Sequence, residues 1–471
     1  MVDESREPPS REELINMVLS QMRQISALEA RVAQLEADNE ALRLKLAKLQ
    51  KPPKPPPTSQ NSSQPPSRDH KRNQPPDRAK RKHGPPSGHP KHERRFVDQP
   101  DEIVTLRAAQ CPTCQADLQQ QATAAVLVDV TQITELPEPK AKVIEVRQYT
   151  VTCPGCGQTQ LEPPPPGLEL ARRFGARLEA TVVYYRQEQH LSYERTQAAL
   201  LNLHGVEISQ GGIDQIMQRA GQAAASQVEP IQVAVRQSAV VNSDETGARV
   251  AGRTCWHWVF CTLTAVLHLI KPRRATEVIT DLFGQTEVEV WGSDCLPAQL
   301  KAPAKQYQLC LAHQLRNLQA VIDRYDQSWW ASAMQTLFRA AIHLHHQRAE
   351  LPPDQFQAQV ARLERLADWL LKRPLGQPEA LKLQRRYRKH RHHLLLFLHR
   401  TDTDPTNNVS ERALRPAVIH RKVTGGFRSA WGAAAYAALA SVIDTAALKD
   451  IIAFDAIQKL MGQPALPLAT A

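Results

Sequence analysis

Three acids stand out by their settings. Asp244 closes the β-rich run SAVVNSDETG, Asp294 closes the strand-like EVEVWGSD, and Glu411 sits in DPTNNVSERALRP. Taken singly, they read as a strand-end turn residue, a turn cap and a solvated helix charge. Gathered at one point, they would serve phosphoryl transfer: one carboxylate bridges two divalent ions and the other two hold one ion each. One ion then activates the attacking oxygen and the other stabilises the leaving oxygen. Mg²⁺, or Mn²⁺ in its place, suits this task because it takes carboxylate oxygens and keeps water and phosphate in its remaining positions. Glu245, Asp281 and Asp404 compete for the same roles. Glu245 turns to the opposite face if its strand continues, and Asp281 lies inside a helical stretch, ATEVITDLFG.

The elements around these acids follow an order that can bring them together. SAVVNSDETG, TCWHWVFCTL and AVLHLIK are strand-like; a helix, ATEVITDLFG, comes next; EVEVWGSD and YQLCLAH are two further strands, the last ending near His313. Helical sequence rich in His, Arg and Gln follows from about 315 to 400. Three strands, a helix, two strands and then helices match the ribonuclease-H-like layout, a mixed sheet with helices on both faces. There the ends of the first and fourth strands are neighbours, and a packed helix can add a third carboxylate. The DPTNN segment predicts a helix start with Asp404 as cap and Pro405 as the first helical residue. On that helix Asn407 and Asn408 share a face with Glu411, where their amides can orient the carboxylate or contact DNA. Arg412 and Arg415 can hold phosphate, although Pro416 disfavours a helical Arg415. SAWGAAAYAALASVIDTAAL reads as a small-residue helix able to pack closely on a sheet.

Two cysteine pairs, Cys111 and Cys114 in CPTC and Cys153 and Cys156 in CPGC, each present two thiolates from a tight turn. Together they have the donors of a closed tetrahedral zinc site, structural because no position is left for substrate. The strand-like AAVLVDVTQI and AKVIEVRQYTVTC between them predict a zinc ribbon. Cys255, Cys261, Cys295 and Cys310 read as core thiols. SYERTQAALLNLHGVEISQGGIDQIMQRA predicts a helix near 192–203, a turn at His204-Gly205, and a second helix capped by Ser209. Leu200, Val206, Ile213 and Ile216 would form its shared core. Gln210, Asp214, Gln215, Gln218 and Arg219 would face outward, as in a helix-turn-helix that touches base edges or phosphates; a plain helical hairpin is the alternative.

Residues 14–49 carry heptads. Leu14, Gln21, Leu28, Leu35, Leu42 and Leu49 form one seam row, and Val18, Ile25, Val32, Asn39 and Leu46 the other. β-Branched residues opposite leucine, with one polar Asn39, predict a parallel two-stranded coil. Arg31 would meet Glu36 of the second helix, and Asp38 would meet Arg43. Residues 51–100 hold thirteen prolines and twelve Lys or Arg against four acids. Such a segment cannot bury a core and reads as a tether that also touches phosphate backbone. The chain of 471 residues has a formal charge of +11, too long for one domain and suited to polyanion partners. No apolar run is long enough to cross a bilayer, and the acidic, polar N-terminus is unlike a signal peptide, so the chain reads as cytoplasmic.

These motifs resemble the transposases of the insertion-sequence-66 family over nearly the whole chain. The resemblance includes the zipper, KPPKPPPTSQNSSQPP, the paired knuckles and SYERTQAALLNLHGVEIS. Its most specific parts are DETGARV at Asp244, CLAHQLRNL around His313, and NNVSERALRP with RKVTGGFRS around Glu411. It implies a DDE-type transposase with a ribonuclease-H-like core, the triad falling on Asp244, Asp294 and Glu411, with two Mg²⁺ or Mn²⁺ ions per active site. His313 and Arg316 would support that site. Asn407, Asn408, Arg412, Arg415, Arg421 and Lys422 would contact DNA. So would Gln210, Gln215 and the run from Arg385 and Arg386 through Arg388 and Lys389, the alternative being a solvated helix face. Asp294 departs from the family's usual Asp-Gly-Tyr context, standing in SDCLPAQ. Trp329 and Trp330 could stack on an unpaired base or pack in the insertion's core.

The organisation expected is therefore a coiled coil at 1–50, a basic linker at 51–100, a zinc ribbon at 101–165 and a helix-turn-helix-like region at 166–235. A catalytic core follows at 236–430, with a helical insertion at about 315–400, and then a helical segment at 431–471. The expected partners are the element's inverted repeats, target DNA, a second copy of the chain, and accessory proteins of the same element, with no membrane; the setting is the bacterial nucleoid. A catalytically silent DNA-binding repressor and a nuclease that cleaves without joining are the competing readings.

Overall fold

The computed structural model describes residues 11–49, 53–62, 96–118, 126–136, 141–164, 173–325 and 328–462. The chain divides into two units. One comprises 71–143 with 203–206, and the other comprises the remainder. Most of the basic linker and the seam residues Leu14, Val18, Leu46 and Leu49 lie outside what is described in full.

In the smaller unit, the CPTC knuckle is a tight turn: Gln115 N–H donates to Cys111 O at 2.8 Å and Cys111 N–H to Ala116 O at 3.0 Å. The AAVLVDVTQI run forms no strand among the described residues; Val126, Leu127 and Val128 stand exposed. Alternating β-branched residues favour a strand only when a neighbour takes up their backbone hydrogen bonds and apolar faces. Of the ribbon expected from sequence, the described strands are β1 (Thr150–Thr152) and β2 (Thr159–Leu161), an antiparallel pair flanking the CPGC knuckle in the larger unit.

The larger unit begins with α1 (Arg11–Leu49). Its central part leaves Ile25, Leu28, Val32, Leu35 and Leu42 more than half exposed. Three helices precede the sheet: α2 (Ala176–Gln187), α3 (Tyr193–His204) and α4 (Gln210–Arg236). Ser209 caps α4 by accepting from Gly212 N–H at 3.1 Å. Ile213, Ile216, Ala220, Ala224, Ile231 and Val235 line its buried face at helical spacing.

The core is a five-stranded sheet in the order β5-β4-β3-β6-β7. Its strands are β3 (Val240–Val250), β4 (Arg253–Cys261), β5 (Val266–Lys271), β6 (Val288–Ser293) and β7 (Ala304–Leu309), with α5 (Glu277–Phe283) crossing from β5 to β6. β3, β4 and β5 pair antiparallel; β3 pairs parallel with β6, and β6 with β7. This mixed five-stranded sheet with helices is consistent with the ribonuclease-H-like layout expected from the element order. β6 is almost wholly buried, as a central parallel strand should be. Its Gly292 lies opposite Asn242, where an added Cβ would sit 2.1 Å from the Asn242 side-chain oxygen. A side chain at 292 would therefore have to displace the Asn242 amide.

Helices α6 (Leu311–Arg324), α7 (Trp329–His346), α8 (Pro353–Leu371) and α9 (Pro378–Lys389) follow β7. Their common core holds Leu318, Trp330, Phe338, Tyr387 and Phe397. Trp330 is buried, its indole N–H donating to Leu370 O at 3.0 Å, whereas Trp329 is exposed and edges against Trp369. The tryptophan pair is thus split, and Trp330 is not open to a base. After α9 come α10 (Asn408–Thr424), α11 (Ala430–Ala447) and α12 (Ala453–Leu460). α11 packs on the sheet beside α4, so closely that a Cβ on Gly221 would lie 2.5 Å from the Ala435 Cβ. No helix among the described residues is long and apolar enough to cross a membrane.

Candidate active site

The sheet register brings two of the acids together. The last described pair between β3 and β6 is Asn242 with Gly292. Two residues further along these parallel neighbours stand Asp244 and Asp294, on the same face by strand alternation. Asp244 also lies opposite Val259 of β4, and Val259 packs with Cys261, Val266 and Leu414. Leu414 is on α10, so this contact seats α10 on the face that carries Asp244. Glu411, one turn before Leu414, then approaches the two aspartates.

α10 begins later than its sequence suggests. The cap is Asn407, not Asp404, and helix runs from Asn408 through Pro416 to Thr424. Asp404 is exposed and Pro405 lies outside the helix, its carbonyl accepting Leu311 N–H at 2.9 Å. What displaces the start is a set of anchors on Asn407. Its backbone N–H donates to Cys310 Sγ at 3.1 Å, and its amide donates to Ser243 O at 2.8 Å, beside Asp244. Asn407 is 1% exposed, so its amide is turned into the protein, away from any DNA, and it orients rather than grips. Pro416 is exposed; its ring costs one hydrogen bond without stopping a helix held by Ser410, Leu414, Ala417 and His420.

The electrostatics of the cluster are unbalanced. Burial, then Glu245, pushes the Asp244 carboxyl up to about 8, and Asp294 and Glu411 add to it; the Glu245 N–H, 2.9 Å away, pulls the other way. Asp294 accepts from Leu296 N–H at 2.8 Å, which fixes its carboxylate at the strand end. Glu411 faces cations. Arg316 Nη2 donates to its two oxygens at 3.1 and 3.4 Å, and His313 Nδ1 lies 3.5 Å away. Glu245 is on the other face and already engaged, with Arg274 at 2.6 Å and Gln299 at 2.8 Å. Burial first, then the charges of Glu245, Asp294 and Glu411, hold the Asp244 proton well above its ordinary range.

The remaining expected residues are placed as follows. Asn408, Arg412, Arg415 and Lys422 are exposed on α10. Arg421 is turned inward, its guanidinium on the Gly247 carbonyl, so it braces β3. On α9, Arg385, Arg388 and Lys389 are exposed and Arg386 is half-buried; Arg385 pairs with Glu40 at 2.7 Å, and Arg388 Nε donates to Leu371 O. Gln210 and Gln215 are exposed on α4. Asp214 accepts from Tyr193 at 2.8 Å within the α3–α4 hairpin, and Arg219 pairs with Glu179 of α2 at 2.6 Å, so both serve helix packing. In each knuckle the first thiol is held below its ordinary range by backbone N–H groups, Cys111 by Cys114 and Thr113, Cys153 by Cys156 and Gly155. That is the geometry thiolate ligands need.

Two features escaped the sequence. Of the expected core thiols, Cys261 and Cys310 are buried and Cys255 and Cys295 half-buried, yet Cys310, His313 and Glu411 offer three ligand atoms within 4.8 Å of one another; the C-x-x-H spacing of CLAH was the available signal. Behind the sheet, His257 Nε2 lies 2.9 Å from His268 Nδ1, whose Nε2 lies 2.8 Å from Asp444. Nothing in the linear pattern joins these three. A family model described as Transposase IS66 family matches residues 172–435, from α2 into α11. Among curated proteins, none matches the chain.

Proposed function

The chain belongs to the Transposase IS66 family, and from that premise we propose that it binds the terminal inverted repeats of its own insertion sequence and catalyses metal-dependent strand cleavage and strand transfer. The observation that supports this reading is that Asp294 and Glu411 both add to the shift of an Asp244 carboxyl already raised by burial and Glu245. Mg²⁺ or Mn²⁺ held by these three side chains would supply the Lewis acidity that phosphoryl transfer at DNA requires.

The chain's own residues prepare the site. Asn407 locks the start of α10 to β3 and thereby sets where Glu411 stands. Arg316 and His313 hold the Glu411 carboxylate before metal arrives. Asn408, Arg412 and Arg415, exposed on the same helix, grip the DNA backbone next to the reacting phosphate. Gln210 and Gln215 on α4 and the basic run on α9 extend that contact, the former toward base edges. The knuckles carry structural zinc. The exposed seam of α1 is covered by a second copy, so that a dimer holds two element ends; accessory proteins of the same element are further partners.

The direct test is strand transfer with element-end DNA in Mg²⁺, comparing wild type with Glu411→Gln. Joined product from wild type alone supports the proposal. Binding of element ends by both with joining by neither would leave a DNA-binding repressor, and cleavage without joining would leave a nuclease.

A further inference from the structure

We infer that Cys310, His313 and Glu411 form a second metal site, selective for a thiophilic divalent cation such as Zn²⁺, whose filling withdraws Glu411 from the acid cluster. The metal-binding half stands on this geometry alone. The inhibitory half rests on the reading of Glu411 as the third acid.

Cys310 caps α6 and His313 follows one turn later, so both side chains leave the same end of one helix. Glu411 comes from the first turn of α10. Their ligand atoms already lie within 4.8 Å of one another. Zinc bonds of about 2.3 Å to sulfur and about 2.0 Å to nitrogen place tetrahedral donors roughly 3.5 Å apart, so small side-chain adjustments close the set. His313 Nδ1 is buried and has no hydrogen-bond partner. A buried imidazole nitrogen without a partner, aimed at a carboxylate 3.5 Å away, is the arrangement a cation between them would satisfy. Burial holds the Cys310 thiol above its ordinary range, and the Asn407 N–H on its Sγ pulls the other way.

The donor types sort the ions. Mg²⁺ takes oxygen and leaves thiols alone, whereas one sulfur, one imidazole nitrogen and one carboxylate suit Zn²⁺. Water fills the fourth position. Binding breaks the Cys310 S–H bond, forms a metal–sulfur bond and releases that proton to solvent. Arg316 gives up Glu411 in the exchange, and its partly exposed guanidinium turns to water. Glu411 cannot then face Asp244 and Asp294 in the same geometry.

The test takes the full-length protein, dialysed against a mild chelator that clears the three-ligand site and leaves the four-thiolate knuckles filled, titrates it with Co²⁺ and reads the thiolate-to-cobalt charge-transfer band, in wild type, Cys310→Ser and His313→Ala. The expected result is a band in wild type that Cys310→Ser lacks, and an affinity weakened about tenfold or more in His313→Ala. The knuckles, common to all three proteins, cancel in the comparison. Should Cys310→Ser not fold, His313→Ala, which keeps every thiol, decides. Equal cobalt binding by wild type and variants overturns the site. A parallel assay measures Mg²⁺-dependent strand transfer with and without added Zn²⁺, as a ratio within each protein. Inhibition in wild type that is relieved in Cys310→Ser supports the second half, and equal ratios overturn it. If cobalt binds as expected and Glu411→Gln still joins DNA, the metal site stands and the catalytic reading of Glu411 falls.

Discussion

Asp244→Asn should stabilise the metal-free protein, and only at high pH. Burial, then Glu245, with Asp294 and Glu411 adding, raises the Asp244 carboxyl from 3.8 to about 8 in the folded chain. A folded value above the unfolded one means that the native state binds the proton more tightly. Its contribution to stability is therefore fully present below pH 4 and is lost as pH rises from about 4 to about 8. At 1.36 kcal/mol per tenfold difference, the loss reaches at most ~6 kcal/mol. An asparagine has the same shape and never ionises, so it escapes this loss. The assay is urea denaturation in EDTA at pH 4 and pH 9, followed by the fluorescence of Trp258 and Trp291, both fully buried in the sheet core. We expect the variant to gain several kcal/mol over wild type at pH 9 and little at pH 4. Mg²⁺ should then stabilise wild type at pH 9 and leave the variant unchanged. A difference between the two proteins that is the same at both pH values would refute the account of the cluster as electrostatically strained.

Gly292→Ala should cost about 1–3 kcal/mol of stability and lower the unfolding temperature, because its Cβ would sit 2.1 Å from the Asn242 oxygen between β3 and β6. Replacing Arg412 and Arg415 together by Gln should weaken binding to element-end DNA and reduce the slope of log affinity against log salt by about 2, read by fluorescence anisotropy. Leu28→Asp with Leu35→Asp, on the exposed seam of α1, should convert a dimer to a monomer in sedimentation equilibrium and leave the far-ultraviolet signal of the core intact.

The sheet was readable because each strand carries its own signal. β3 alternates, with Val241, Ser243 and Glu245 buried on one side, and β6 buries Val288, Val290 and Trp291 before Asp294. Their order alone limits the topology, and the register of β3 on β6 follows once Gly292 meets Asn242. The hairpin of α3 and α4 was equally open, since Ser209 announces its own cap. The start of α10 was not. Asp404-Pro405 is a good local helix signal, but Asn407 is tied to Cys310 and Ser243, 97 and 164 residues away in sequence. Long-range anchors of that kind override local propensity. The same holds for Arg421, whose basic charge suggests DNA and whose guanidinium is spent on Gly247. In the AAVLVDVTQI run the β pattern is present, and no strand pairs with it among the described residues.

The central claim is that Asp244, Asp294 and Glu411 act as one metal-dependent unit on DNA. Cleavage of a labelled element end in Mg²⁺ by wild type, Asp244→Asn, Asp294→Asn and Glu411→Gln tests it most directly, with binding to the same DNA measured alongside. The account predicts that each single variant binds the end and fails to cut it, to about the same extent, because the acids share the ions. Cleavage by the Asp294→Asn or Glu411→Gln protein at a rate near wild type would contradict it.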